Sequence, residues 1–423
     1  MKRLIPAVKG TRDFYPPQMA FRNWLYATVR QVSESFGYQE WEAPMLESLD
    51  LYAAKSGEEL VKKQSYVFTD RGGDEITLRP ELTPSLARLV AQKQGELVFP
   101  LRWWSWGPFW RYEKMQKGRA REVFQWNVDM LGVNSPEADA ELIAVAATFL
   151  RTVGLTPQQA RIFVNSRRLM EAEFDALGIA PERRMEVSGL VDKRDKMTPQ
   201  AWEAYASELG LSRAQWNGLL TLLADGERWK QSEELRRLFA ALEALGVQEY
   251  VQFDAGVVRG LLYYTGTVFE AFDLTGGVRR AILGGGRYDN LLADVGGEPL
   301  AGVGFAMGDV VIGILLQEAG LVPSLPTMPA SVLVTVFDKH FWLASLALAS
   351  ELRRAGLNVV CYPEPARLPR QFKFADRMGI RFVLVLGPDE AANGAVTLKD
   401  LMQGSQETLP RQQARDRLVT LLG

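Results

Sequence analysis

The side chains available for chemistry are arginines, carboxylates and tyrosines. The chain has one histidine, His340, and one cysteine, Cys361. A Ser-His-Asp triad, a His-rich metal site or a zinc ribbon would have to be built around those two alone. The densest candidate is FWRYEKMQKGRAREVFQWN (109–127), in which Arg111, Lys114, Lys117, Arg119 and Arg121 crowd between aromatic ends. Three readings are open: a solvated tip, a nucleic-acid patch, or a clamp for a smaller polyanion. Arg111 and Arg121 adjoin the flanking strands, where side chains alternate between faces, so at least one belongs to the sheet surface. Arginine's planar fork suits bidentate phosphate contact, and Gly118 lets the tip approach a ligand closely.

Three other stretches carry polar groups at informative spacings. TLRPELTPSLAR sets Glu81 and Thr83 between a strand and a helix start. Either Thr83 caps the helix before Pro84 and Glu81 faces its positive end, or the two receive an ammonium group. VVRGLLYYTGTVFE (257–270) places Arg259 ahead of a tyrosine pair. Alternation leaves only one of Tyr263 and Tyr264 on a given face, so one hydroxyl reaches a pocket while its neighbour packs. GGGRYDNLL (284–292) is neither a P-loop nor a dinucleotide fingerprint. Its glycines suit close strand packing or close approach of a planar ligand.

These residues need a scaffold, and the periodicity outlines one. Apolar residues at helical spacing predict a helix over about 17–36, closed by Gly37, then a strand over Tyr38–Met45 broken by Pro44. Two aromatic strands, 101–113 and 121–132, form an antiparallel hairpin around the basic loop. Residues 136–245 are mostly helical apart from RIFVN, strands return over 250–273, and VGFAMGDVVIGILL follows the glycine-rich stretch. A proline-containing linker, 321–330, leads to alternating strands and helices that predict a largely parallel sheet. The expected fold is therefore an α+β domain over 1–320, with an antiparallel sheet and a helical insertion near 170–245. A small α/β domain over 331–423 follows.

A chain of 423 residues fits two or three domains, and 47% hydrophobic with 24% charged residues is globular. No apolar run reaches the roughly 18–20 residues that span a bilayer, and MKRLIPAVKGTRD lacks the apolar core of a secretory signal. A lone cysteine excludes an internal disulfide, so a cytoplasmic location is expected. The net charge of −2 gives no global attraction to nucleic acid; any polyanion must meet local patches.

In this order the stretches resemble the histidyl-tRNA synthetase family of class II aminoacyl-tRNA synthetases over nearly the whole chain. KGTRDFYP with the Pro44 strand resembles motif 1, which builds the dimer interface, and FWRYEKMQKGRAREVFQ resembles motif 2. RGLLYYTGTVFE and GGGRYD resemble the two histidine-specific signatures, GVGFAMG resembles motif 3, and the tail resembles the anticodon-binding domain. The resemblance implies that L-histidine and ATP form histidyl-adenylate, and that the acyl group then passes to the 3′ end of tRNA(His). It further implies a homodimer and Mg²⁺, with no zinc and no membrane. Arg111 and Arg259 would flank the α-phosphate as the catalytic pair, with Glu113 near the adenine and Arg119 and Arg121 in the loop serving ATP. Glu81, Thr83 and Gln125 would hold the α-amino group, and Asp129 with Tyr264, beside Tyr263, the imidazole.

Three departures accompany the resemblance. Asp129 stands where glutamate is usual, and Leu262 where the signature commonly has aspartate. Motif 3 commonly continues GxER, whose arginine binds the ATP γ-phosphate; here Asp309, Val310 and Val311 follow GFAMG. This GD-type motif 3 is similar to that of plant-organellar enzymes. Arg287 and the motif 2 cations are the expected substitutes. The alternative function is a catalytically inactive, synthetase-like regulatory subunit that senses histidine for ATP phosphoribosyltransferase.

Overall fold

One sheet of eight strands organises the larger part of the chain. The computed structural model describes residues 4–53, 64–112, 114, 117–258, 264–277, 280–290 and 292–422. It divides into two units, Met1–Asp13 with Arg22–Pro323 and Phe14–Phe21 with Ser324–Gly423. The first unit contains β1 (Gln39–Glu40), β2 (Leu46–Ser48), β3 (Tyr66–Thr69), β4 (Glu75–Leu78), β5 (Leu101–Trp110), β6 (Glu122–Leu131), β7 (Ala160–Ser166), β8 (Val251–Phe253), β9 (Thr267–Asp273), β10 (Ala281–Tyr288) and β11 (Gly302–Gly308). The large sheet runs β1-β5-β6-β11-β10-β9-β7-β8, and β2-β4-β3 form a separate small sheet. Its inner pairings are antiparallel; only β1–β5 and β7–β8 are parallel.

Alternation along β6 divides the sheet into two faces. Phe124, Trp126, Val128 and Met130 point to the rear and are buried. There Trp126 meets Phe305 edge-on at 5.0 Å between ring centroids and Phe149 at 5.3 Å. Phe149 comes from the helix Pro136–Thr152, whose Ser135 cap accepts a hydrogen bond from the Ala138 amide at 3.2 Å. That helix is buried along most of its length, which explains its almost continuous run of alanine and aliphatic residues. Truncating Trp126 to alanine would cost about 3–5 kcal/mol, the usual effect of removing a large aromatic from a core.

The expected motif 2 hairpin is present, with Leu101 to Trp110 paired in antiparallel register against Leu131 to Glu122. The first helix runs Pro16–Ser35, and Gly37 follows it with φ 78°, where the left-handed backbone favours glycine. The helical insertion spans helices from Arg167–Ala176 to Glu233–Ala244. The strands expected over 250–273 are β8 and β9, and residues 259–263 lie outside the described residues. Gly284, Gly285 and Gly286 sit inside β10, where the expected close strand packing is found.

The second unit contains β12 (Val332–Val334), β13 (Val359–Cys361), β14 (Phe382–Val385), β15 (Ala395–Asp400) and β16 (Ser405–Pro410), in the order β13-β12-β14-β15-β16. Only β13, β12 and β14 are parallel; β15 and β16 continue antiparallel, so the sheet is mixed rather than largely parallel. Polar residues within β15 and along both sides of β16 obscured these strands in the sequence. Val332, Val334, Phe382 and Leu384 pack on one face, Leu333 and Val383 on the other. Burial on both faces explains the uninterrupted apolar runs SVLVTV and FVLVLG.

Candidate active site

The front face of the large sheet is polar and nearly bare of side chains at its centre. Gln125, Asn127 and Asp129 project forward from β6, two residues apart. Their partners on β11 are Gly308, Ala306 and Gly304. Ala306 and Gly304 in turn pair with Gly284 and Gly286 on β10. The result is a shallow trough floored by glycine and alanine, with its polar groups along one wall.

Asp129 closes one end. Gly302, on the next row, leaves the space that lets the Tyr288 ring cross the sheet; a Cβ there would stand 2.5 Å from that ring. The Tyr288 hydroxyl donates to Asp129 Oδ1 at 2.5 Å. A Cβ on Gly304 would meet the same Oδ1 at 2.0 Å, so glycine is what makes room for the carboxyl. Burial pushes the Asp129 carboxyl up to about 7, with the Tyr288 hydrogen bond pulling the other way. Tyr264 is buried nearby over Gly286, whose Cβ would meet its ring at 2.8 Å.

The other end opens into a cavity of about 330 Å³ in which Arg111, Arg119, Gln125 and Arg280 meet Gly284, Gly308 and Val311. Arg111 Nε donates to the Pro80 carbonyl at 2.8 Å, which ties the motif 2 strand to the residue before Glu81. Glu81 is buried, and its carbonyl accepts the Tyr52 hydroxyl at 3.2 Å. Thr83 is not a cap. Leu82 occupies the N-cap of the helix Thr83–Lys93 without a side-chain bond, and Thr83 and Pro84 begin the first turn. Arg79 fills the space in front of Gly107, bonding to the Pro108 carbonyl at 3.0 Å and pairing with Glu42.

The remaining arginines separate clearly. Arg121 leaves the cavity: its guanidinium lies 3.8 Å above the Tyr112 ring and its stem packs on Gly10. Arg287 is the correction to the sequence reading. It follows Gly286 and so faces the rear, where all five of its N–H groups are engaged. They bond Asp139 at 2.5 and 3.2 Å, Asp289 at 3.2 Å, and the Val133 and Ser135 carbonyls at 3.1 and 3.2 Å. A phosphate has no donor left to use there. Asp309, in place of a motif 3 cation, turns away from the cavity to accept from the Phe124 amide at 3.0 Å and to pair with Arg12 at 2.9 Å. Glu113, Arg259 and Tyr263 lie outside the described residues.

Sequence reasoning missed Tyr288 and Arg280. Tyr288 was legible in principle, because a period of two through GGGRYD puts it on the face of Gly286 and opposite to Arg287. Arg280 had no signal, since only the fold brings the start of β10 beside the motif 2 loop. Among the described residues no group of three or more His, Cys, Asp or Glu is placed to hold a metal ion. No described helix is long and apolar enough to cross a membrane.

An antiparallel sheet entered by an arginine-bearing hairpin, closed by a strand-to-helix motif and followed by a separate α/β unit, defines a class II aminoacyl-tRNA synthetase. The family model for histidyl-tRNA synthetase matches residues 10–309, and that for the anticodon binding domain matches residues 331–421. The chain belongs to the histidyl-tRNA synthetase family, and thereby to the aminoacyl-tRNA ligases. It is 36% identical over 422 residues to a histidine–tRNA ligase of Leptospira biflexa, covering 97% of this chain and 96% of that protein. A chloroplastic/mitochondrial histidine–tRNA ligase of Arabidopsis thaliana is 40% identical over 408 residues, 94% of this chain and 83% of that one. The crystal structure of histidyl-tRNA synthetase from Nostoc superposes with a TM-score of 0.84 at 26% identity, covering 100% of both chains.

Proposed function

We propose that the chain is a working histidine–tRNA ligase that binds its substrates along the front trough. Asp129 carries this reading: a buried carboxyl at the closed end of a glycine floor, held by Tyr288 and in line with Gln125 and the arginine cavity. Four residue steps along the strand lead from Gln125 to Asp129, about 13 Å at roughly 3.3 Å per residue. An extended histidine fits between them once both side chains reach inward. Its imidazole presents a donor and an acceptor; Asp129 takes the donor, with Tyr264 alongside. Glu81, Thr83 and Gln125 receive the α-amino group at the open end. The carboxylate then points toward Arg111.

Arg111 and Arg259 neutralise the α-phosphate as the histidine carboxylate attacks it. Pyrophosphate leaves, and the acyl group moves from the adenylate to a ribose hydroxyl of tRNA(His). No side chain becomes covalently attached, so positioning and charge stabilisation supply the rate. Glu113 serves the adenine and Arg119 the far end of ATP, while Arg121, stacked on Tyr112 outside the cavity, serves the tRNA acceptor. Mg²⁺ enters on the triphosphate; among the described cavity-lining residues there is no carboxylate to hold it apart from ATP.

Residues 331–423, which follow the linker 321–330, bind the anticodon, and residues 1–320 form the catalytic domain around the 170–245 insertion. In the second unit Lys373 and Arg377 are exposed, whereas Phe372 is half-buried with Lys399 over its ring at 4.8 Å. A homodimer through the motif 1 region is supported by Met45 and Leu46, which follow Pro44 and are 47% and 49% exposed. A cytoplasmic location completes the reading.

The absent motif 3 arginine favours the alternative, a histidine-sensing regulatory subunit without catalysis. The arginine-lined cavity and the anticodon-type second unit favour the ligase. Charging of tRNA(His) transcript with labelled histidine tests the choice: histidine accumulates on its 3′ end for a ligase, and none does for a regulator.

A further inference from the structure

Val311 stands where the GxER pattern has its arginine, and it lines the cavity that holds Arg111 and Arg119. Its side chain is short and apolar, so one wall of the cavity is without charge. Arg280, immediately before β10, lines the same cavity. The two converge on the tip of the motif 2 loop. A Cβ on Gly118 would stand 3.2 Å from Arg280 Cδ and 3.6 Å from Val311 Cγ2. Gly118 has φ 78°, a left-handed conformation that lets the loop lie this close.

Among the described residues, three further cations near the cavity are held by partners outside it. Lys117 bonds Glu318 at 2.9 Å and the Gly277 carbonyl at 3.1 Å. Arg121 stacks on Tyr112, and Arg287 is locked on the rear face. The described lining of the cavity contains three arginines and no acidic residue. Asp309 would have opposed an anion, but it faces Arg12 and the Phe124 amide instead.

Resting on the ligase reading above, we propose that Arg280 contacts the β- and γ-phosphates of ATP, supplying from β10 the charge that motif 3 no longer supplies from the helix Asp309–Glu318. It binds the triphosphate in the ground state and holds the departing pyrophosphate when histidine's carboxylate displaces it from the α-phosphorus. The valine at 311 and the arginine at 280 are then two halves of one exchange, with the loop glycine between them.

Substituting Arg280→Ala in the full-length chain tests this through histidine-dependent ATP–pyrophosphate exchange. A charged phosphate contact corresponds to an increase of about 10- to 150-fold in the KM for ATP, with the KM for histidine unchanged. Arg280→Lys should recover part of the loss, and Val311→Arg added to Arg280→Ala should restore ATP use. An Arg280→Ala enzyme with the wild-type KM for ATP overturns the proposal while leaving the ligase reading intact. If a variant turns over too slowly to score, calorimetric titration with ATP decides. Weakened ATP binding beside normal histidine binding supports the role; wild-type ATP affinity refutes it. A wild-type chain without exchange fails the ligase reading itself, and the same titration still judges Arg280.

Discussion

The Tyr288 hydroxyl reaches across Gly302 to donate to Asp129 Oδ1 at 2.5 Å, which fixes the direction of the buried carboxyl. Below a pH of about 7 that carboxyl keeps its proton. Its pKa is raised by burial, so the folded chain binds this proton more tightly than the unfolded chain. Stability from this group is therefore greatest in acid and falls as pH rises from the ordinary aspartate value of about 3.9 toward about 7. Substrate recognition runs the other way, because only the ionised form accepts an imidazole N–H without competing for it. The KM for histidine should fall as pH rises through about 7. Tyr288→Phe removes a donor that favours the charged form, so its profile should move to higher pH. Identical profiles for the two proteins would contradict this assignment.

Gly304→Ala tests the trough more directly than any change to its charges. The new Cβ would lie 2.0 Å from Asp129 Oδ1 and 2.9 Å from the Val128 carbonyl, so the carboxyl must turn away. The expected result is an increase of about 5- to 150-fold in the KM for histidine, the range for losing a buried hydrogen-bond partner. The KM for ATP should stay near wild type, as the arginine cavity lies beyond Gln125. Equal effects on both substrates would place the two pockets closer than the register allows.

Arg287→Ala should act on stability. Removing one member of a buried ion pair leaves Asp139 uncompensated and typically costs about 3–5 kcal/mol; urea unfolding would show it as a lower midpoint. The KM for ATP of the folded enzyme should not change. A raised KM for ATP with normal stability would return Arg287 to the phosphate site.

The motif 2 hairpin and the helices of the insertion were legible because each is local: aromatic runs and helical periodicity. What lay beyond reach was set by pairings between distant segments. The sequence groups Arg287 with its glycines as one motif, yet strand alternation sends it to the rear face and into Asp139. Arg280 reads as a loop residue until β10 pairs with β11 and brings it beside Val311. The separation of Arg121 from Arg119 likewise depends on Tyr112 and Gly10, contacts that no spacing encodes. The antiparallel strands β15 and β16 were lost for a simpler reason: polar residues, half-buried in β15 and mostly exposed in β16, dilute their apolar pattern.

Histidine-dependent ATP–pyrophosphate exchange by the purified full-length chain is the most direct test of the account. With ATP and Mg²⁺ saturating, exchange should be robust with histidine, near background with other amino acids, and strongly reduced by Arg111→Ala. Flat exchange with histidine at saturating ATP would contradict the claim that the front trough is a working activation site.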